Sequence, residues 1–364
     1  MSANANTTTP TTAFFRLLGL ALGTTDDVDL LLDEAGWVEV YNLAHRHNVA
    51  ALLLDGIEEL HPQRKPPLGL LVPWSEEGSL IEQAGRRANQ YTVAASHKFD
   101  EMGYAHTAIG GQVLAACYFH PLRRQPDGIT LWFAHRQARL RRYAHRQFPR
   151  IQGTRQGVRF PVFPQTELNL AFCPAWLNHP RHNRLLQRFM QQQAPIMAMH
   201  RTDLPEVGEV PTLTPGLAMV VLATQMLRSL RSGLLDVRQL TDFYYLSVQL
   251  SERADEGLPA LQLADRLGLR RFCASLVYVL THLLGQQVAL PGIDADGQYG
   301  PRLLHAILQC GGFQTAFKAD RQGSEQASSP TLPHWKEVVR QDYPTEQQWA
   351  WADRLKERWW RLMH

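Results

Sequence analysis

The chain has 364 residues, 45% hydrophobic and 20% charged, with a net charge of +3. That suits a globular protein of two or three domains, or one core with helical additions. It argues against a membrane-spanning chain, because no apolar run approaches the required length of about 20 residues, and against a disulfide scaffold or Cys-rich zinc site, because Cys117, Cys173, Cys273 and Cys310 stand far apart with no CxxC pair, which fits a reducing, cytoplasmic setting.

In chain order, residues 1–13 are polar and low in complexity and read as a disordered tail. A helical region is expected over 14–103. Residues 14–22 are apolar but lack a basic flank and a cleavage site, so they read as a helix rather than a signal peptide. Thr24, Thr25 and Asp26 are placed to cap the next helix. Residues 37–60 carry apolar positions at one helical repeat. His45 and His47 resemble a metal pair, but a spacing of two sends them to different sides of a helix. Four prolines mark 61–73 as a loop. A long helix is expected over 76–103, ended by Gly103.

A different pattern occupies 104–172. Residues 104–109 read as a buried strand, Gly110-Gly111 breaks it, 112–119 has helical spacing, and Pro121 stops that helix. Strand-like residues return at 129–133. A Gly-rich turn opening a helix between two strands is the geometry that holds phosphate. Gly110, Gly111, Arg123 and Arg124 are therefore the candidate nucleotide-binding residues. Strands are also expected at 158–163 and 167–172, with a basic helix at 135–148.

Charge is unevenly spread. Between 128 and 202 there are twelve arginines, no lysine, and one acid, Glu167, so the remainder of the chain is net negative. Two readings stand: a solvated face balanced by acids elsewhere, or an anion-binding surface for nucleic acid, nucleotide or an acidic protein partner. Arginine in place of lysine favours bidentate pairing with phosphate or carboxylate. Arg139, Arg142 and Arg146 are the candidate polyanion-binding residues.

Residues 173–317 read as a second helical region. His179 and His182 sit in a turn made by Pro180. Asp294 and Asp296 mimic the start of a calcium loop whose later ligands are missing. Arg238 and Asp242 lie at i and i+4 and can pair along a helix face, as a buried polar clamp between helices. Residues 302–317 read as a helix interrupted at Gly311-Gly312, 318–333 as a flexible linker, and 334–364 as a Trp-rich terminal helix docked on the core.

The order of parts resembles the bacterial nucleotidyltransferase-like family, a group of the DNA polymerase beta-like superfamily with a helical region before its core. There a Lys-Gly pair opens a helix, followed by Tyr-x-x-Pro-x-x-Arg and then Gly-Asp-Ile-Asp-Leu-Trp. Gly110 stands at the lysine and Gly111 at the glycine. Tyr118, Pro121 and Arg124 match, and residues 127–132 read Asp-Gly-Ile-Thr-Leu-Trp. Residues 42–60 resemble the family's helical entry, and Arg238, Gln239 and Asp242 match its Gly-Leu-Arg-Gln-x-x-Asp-Trp. The resemblance implies an α/β core, with a small mixed sheet, embedded in a largely helical protein.

It also implies that both metal-binding aspartates are replaced, by Gly128 and Thr130. Glu167 stands at a third family carboxylate, with Asn169 where a histidine is usual. The implied function is a degenerate nucleotidyltransferase that binds a nucleotide, nucleic acid or protein, with no resident metal or other cofactor. The alternative is an active enzyme using magnesium with Asp127 and Glu167 as its catalytic carboxylates; a third is a nucleic-acid-binding module. Pairing of Glu167 with Arg159 or Arg124 is the bland expectation.

Overall fold

Thr9 accepts a hydrogen bond from the Thr12 backbone N–H, and Pro10 occupies the first turn, so helix α1 (Pro10–Ala21) begins before the apolar run does. The computed structural model describes residues 8–26, 28–151, 153–197, 199–309 and 334–363. The tail expected over 1–13 is thus helical from Pro10, and residues 1–7 lie outside the described residues. The polar cluster at 24–26 does not cap the next helix. Asp33 does, accepting the Gly36 N–H at 2.8 Å, and α2 runs Glu34–Arg46. The single repeat expected over 37–60 is two helices, because Asn48 turns the chain at φ 59° before α3 (Ala50–Glu58).

Helix α4 (Leu68–Glu101) starts eight residues earlier than its apolar face suggests and contains Pro73. The proline leaves the Gly69 carbonyl without its helical donor, but Gly69 is exposed, so that carbonyl is open to solvent. This 34-residue helix crosses behind the core and delivers the chain into β1.

The expected α/β core forms. Four strands, β1 (Thr107–Ala108), β2 (Ile129–Trp132), β3 (Gly157–Phe160) and β4 (Leu168–Ala171), are ordered β1-β2-β4-β3, with β2 and β4 parallel and the flanking pairs antiparallel. Period-two alternation sets the faces of the sheet. Ile129, Leu131, Phe133, Leu168 and Leu170 join Phe99 of α4 in one apolar cluster. Trp132 points the other way, into a larger cluster built from the helices. Leu140 and Ala144 hold α6 (Gln137–Gln147) against the sheet cluster, which leaves Arg139, Arg142 and Arg146 outward.

After α7 (Pro180–Met197), a hairpin of β5 (Arg201–Leu204) and β6 (Gly208–Pro211) appears that the sequence reading did not anticipate. Its buried anchors are Leu204 and Val210, too few to announce a strand pattern. Helices α8 (Pro215–Ser232), α9 (Val237–Glu252), α10 (Ala254–Arg266), α11 (Arg270–Leu284) and α12 (Gly300–Gln309) follow. The Gly311-Gly312 interruption and the linker expected over 318–333 lie outside the described residues.

The C-terminal segment is not one helix. Pro344 divides it, giving α13 (His334–Asp342), α14 (Pro344–Gln348) and α15 (Ala350–Met363). Trp360 faces inward, with the Arg141 guanidinium 5.0 Å from its ring centroid, whereas Trp351 and Trp359 are exposed. Among the described residues no helix is long and apolar enough to cross a membrane.

Candidate functional site

Two distant segments converge beside the sheet. Arg124 follows a 3-10 turn at Pro121–Arg123 and is fully buried. Its Nε and Nη2 donate to the two carboxylate oxygens of Asp242 at 2.7 and 2.9 Å, the bidentate geometry suited to guanidinium. The Tyr118 hydroxyl donates to the same Asp242 oxygen at 2.7 Å. Burial and the Asp242 charge hold the Tyr118 phenol well above its usual range. Arg238, one turn before Asp242 on α9, reaches Asp127 at 3.6 Å and Asp236 at 3.4 Å. The expected clamp therefore exists, but Arg238 and Asp242 do not pair along the helix. Each reaches across to the core, because α9 is seated against the loop that leads into β2.

Asp127 is part of this clamp. Arg124 Nη1 donates to Asp127 Oδ1 at 3.3 Å. Burial alone would push the Asp127 carboxyl up; Arg124 and Arg238 outweigh it and hold the carboxyl below the usual carboxylate range. A depressed folded-state value means stabilisation that is complete above the unfolded value of about 3.9 and lost as pH falls through the folded one. Replacing Asp127 with Asn is expected to flatten the acid limb of a melting-temperature profile below about pH 4. An unchanged limb would show that the ion pairs contribute nothing to folding.

The Gly-Gly turn serves as a packing element here. Gly110 has φ 65° and Gly111 φ 48°, and a Cβ at Gly111 would lie 2.7 Å from the Gly128 carbonyl oxygen. Gly128 has φ 94°, and a Cβ there would lie 3.1 Å from the Glu167 carbonyl oxygen. The turn is pressed on the entry to β2, which is pressed on β4. Helix α5 (Gly111–Ala115) has only five residues, so few peptide dipoles add at its N-terminus. Arg123 is drawn away from the turn by Glu82 at 2.8 Å, Glu58 at 3.3 Å and Asp55 at 3.6 Å.

The basic segment folds elsewhere. A cleft of about 1720 Å³ opens over the sheet beside α6. Strand register places Thr130 beside Asn169 and Asn169 beside Arg159, a polar row across β2, β4 and β3, and all three line the cleft. Arg139, Arg141, Arg142 and Arg146 line it as well, with His145, Trp176 and Trp360; none of its lining residues is acidic. Arg139, Arg142 and Arg146 are exposed, and among the described residues no acid pairs with them. Arg141 instead donates to the Thr154 and Arg155 carbonyls at 2.8 and 3.0 Å. Arg159 Nε lies 3.0 Å from Glu167 Oε1 in an exposed pair, the bland expectation for that glutamate.

The structure thus brings Arg139, Arg142 and Arg146 into the lining of one cleft with Thr130, Asn169 and Arg159. Gly110, Gly111, Arg123, Arg124 and Asp127 do not line that cleft. Sequence reasoning passed over Asn169 and Thr130 as floor residues. Their signal was present in the alternation of β2 and β4, but strand register was needed to set them side by side.

Magnesium takes hard oxygen ligands, usually carboxylates with substrate phosphate. Gly128 supplies no ligand and Thr130 only a neutral hydroxyl. Asp127 is claimed by two guanidiniums and Glu167 by one. These residues do not fit the metal pair that the family resemblance implies. Among the described residues no three His, Cys, Asp or Glu side chains gather into a metal-sized group. The turn expected at Pro180 is instead the start of α7, with His182 in its first turn; Glu346 accepts the Asn178 and His179 backbone N–H groups at 2.6 and 3.2 Å, so it ties α14 to the entry of α7.

The two segments that meet in the clamp are those quoted above as family motifs, Tyr118 to Arg124 and Arg238 to Asp242. No curated protein and no solved structure matches the chain. A family model described as an uncharacterised nucleotidyltransferase matches residues 33–285, well over half the sequence and including the helical entry, the sheet and the clamp, and the chain belongs to that family.

Proposed function

We propose that this nucleotidyltransferase-family protein has lost nucleotidyl transfer and binds a phosphate-bearing ligand in the arginine cleft. The observation that carries the reading is the cleft itself. Arginines from α6 and β3 surround a floor whose Thr130 and Asn169 stand at positions where the resemblance puts a metal aspartate and a histidine. Transfer needs cations to bridge phosphate oxygens and lower charge on the attacked phosphorus. Neutral Thr130 and Asn169, beside the exposed guanidiniums of Arg139, Arg142 and Arg146, hold phosphate and supply no carboxylate for the cation. The Gly-Gly turn has a supporting role in this reading, since it packs on β2.

Calorimetry with ATP and GTP, with and without magnesium, tests it. Binding is expected without magnesium. The double substitution Arg142→Glu with Arg146→Glu is expected to weaken it at least about tenfold, since two charge-assisted contacts are reversed. Asp127→Ala is expected to leave it unchanged. Chelator-sensitive label transfer from a radioactive triphosphate by the purified protein would overturn the loss of catalysis.

A further inference from the structure

The cleft is larger than one nucleotide needs. Pockets for small ligands run to about 300–1,000 Å³, and this one measures about 1720 Å³. Its charge is distributed rather than focused. Arg139, Arg142 and Arg146 follow one another at i, i+3 and i+7 along α6, a span of about 10 Å at 1.5 Å per residue. They form a line of guanidiniums, whereas a triphosphate needs its cations gathered at one point. The floor crosses three strands, also about 10 Å. Trp176 and Trp360 stand in the walls, each covered by a guanidinium, Arg228 at 3.5 Å and Arg141 at 5.0 Å, so the cleft offers a ligand its charge.

We propose that the cleft is a binding site for single-stranded polynucleotide, held through its phosphate backbone along the Arg139–Arg142–Arg146 line. This rests on the phosphate-binding reading above and narrows its ligand class. Regularly spaced guanidiniums match a phosphodiester chain, which carries one charge per repeat. Contacts to the backbone alone make binding indifferent to sequence and sensitive to salt, because each neutralised phosphate releases counterions.

The test is fluorescence anisotropy on the full chain with labelled oligouridylate and oligothymidylate of roughly three, six and twelve nucleotides. Affinity is expected to rise at least about tenfold from the shortest to the longest. The logarithmic salt slope is expected near −2 for three arginines, at about 0.7 per phosphate. Arg142→Glu with Arg146→Glu is expected to weaken the longest oligonucleotide at least about tenfold and to remove about 1.4 from that slope. Both positions are exposed; should the pair fail to fold, Arg146→Gln alone, with a slope reduced by about 0.7, carries the comparison.

ATP bound as tightly as the longest oligonucleotide would overturn the polynucleotide assignment and leave the phosphate-binding reading standing. Tighter binding of a duplex of equal length, or displacement of the oligonucleotide by polyglutamate at matched charge, would also overturn it, in favour of a duplex or an acidic polypeptide. Failure of ATP and every oligonucleotide to bind would sink both readings together.

Discussion

Asp242→Ala is expected to lower the unfolding free energy by about 3–5 kcal/mol. The reason is the charge it strands. Arg124 has 1% of its side chain exposed and Asp242 has 2%, and their bidentate contact is also an anchor for Tyr118. Removing the carboxylate leaves a buried guanidinium answered by Asp127 and the Gln125 carbonyl at the longer distance of 3.3 Å. Against a typical total of about 5–15 kcal/mol, that loss leaves a measurable unfolded fraction. Urea denaturation followed by circular dichroism measures it.

A second variant separates pairing from packing. Arg124→Met with Asp242→Leu removes both charges and keeps most of the volume, so it is expected to be much milder than Asp242→Ala alone. If Asp242→Ala melts within about 1 kcal/mol of wild type, the clamp is not what seats α9 on the core.

Restoring the family's aspartates is expected to fail. Gly128→Asp together with Thr130→Asp should destabilise the protein by about 1–3 kcal/mol and produce no magnesium-dependent label transfer. At position 128 the backbone has φ 94°, where a side chain is strained, and the new Cβ would press on the Glu167 carbonyl oxygen at 3.1 Å. The neighbouring Gly111 approaches the Gly128 carbonyl from the other side, so β2 has no room to shift. The carboxylate that remains close by, on Asp127, is already paired with Arg124 and Arg238. Chelator-sensitive transfer by this double variant would show that the backbone was never the obstacle. A melting temperature equal to wild type would show that the strain is absent.

Much of the architecture was legible before the fold. The β-branched and aromatic run near 129–133 and the alternating Leu168 and Leu170 within 167–172 sit in the sheet, and the apolar spacing of 214–285 gives packed helices, because local periodicity reports which face of an element is buried. Helix boundaries were less legible. The entry to α4 through Pro67, with Pro73 inside the helix, and the division of the C-terminal segment at Pro344, depend on whether a freed carbonyl meets water or protein, which proline content alone does not reveal. For the site, arginine content marked the segment that lines the cleft. The same reasoning offered Arg124 to a ligand, whereas the structure buries it against Asp242, because a buried and an exposed arginine look alike in a sequence.

Sequence alone determined that this chain has an α/β core within helices, that Gly128 and Thr130 offer no carboxylate at the two motif positions, and that one segment is strongly basic. These are properties of residue identity and near-neighbour spacing. Only the tertiary structure decided that Arg124 belongs to Asp242, 118 residues away; that the Gly-Gly turn braces β2; and that Thr130, Asn169 and Arg159 form one row in a cleft that the arginines of α6 also line. Those facts depend on strand register and helix docking, which are set by long-range burial, and burial leaves no mark on the local pattern.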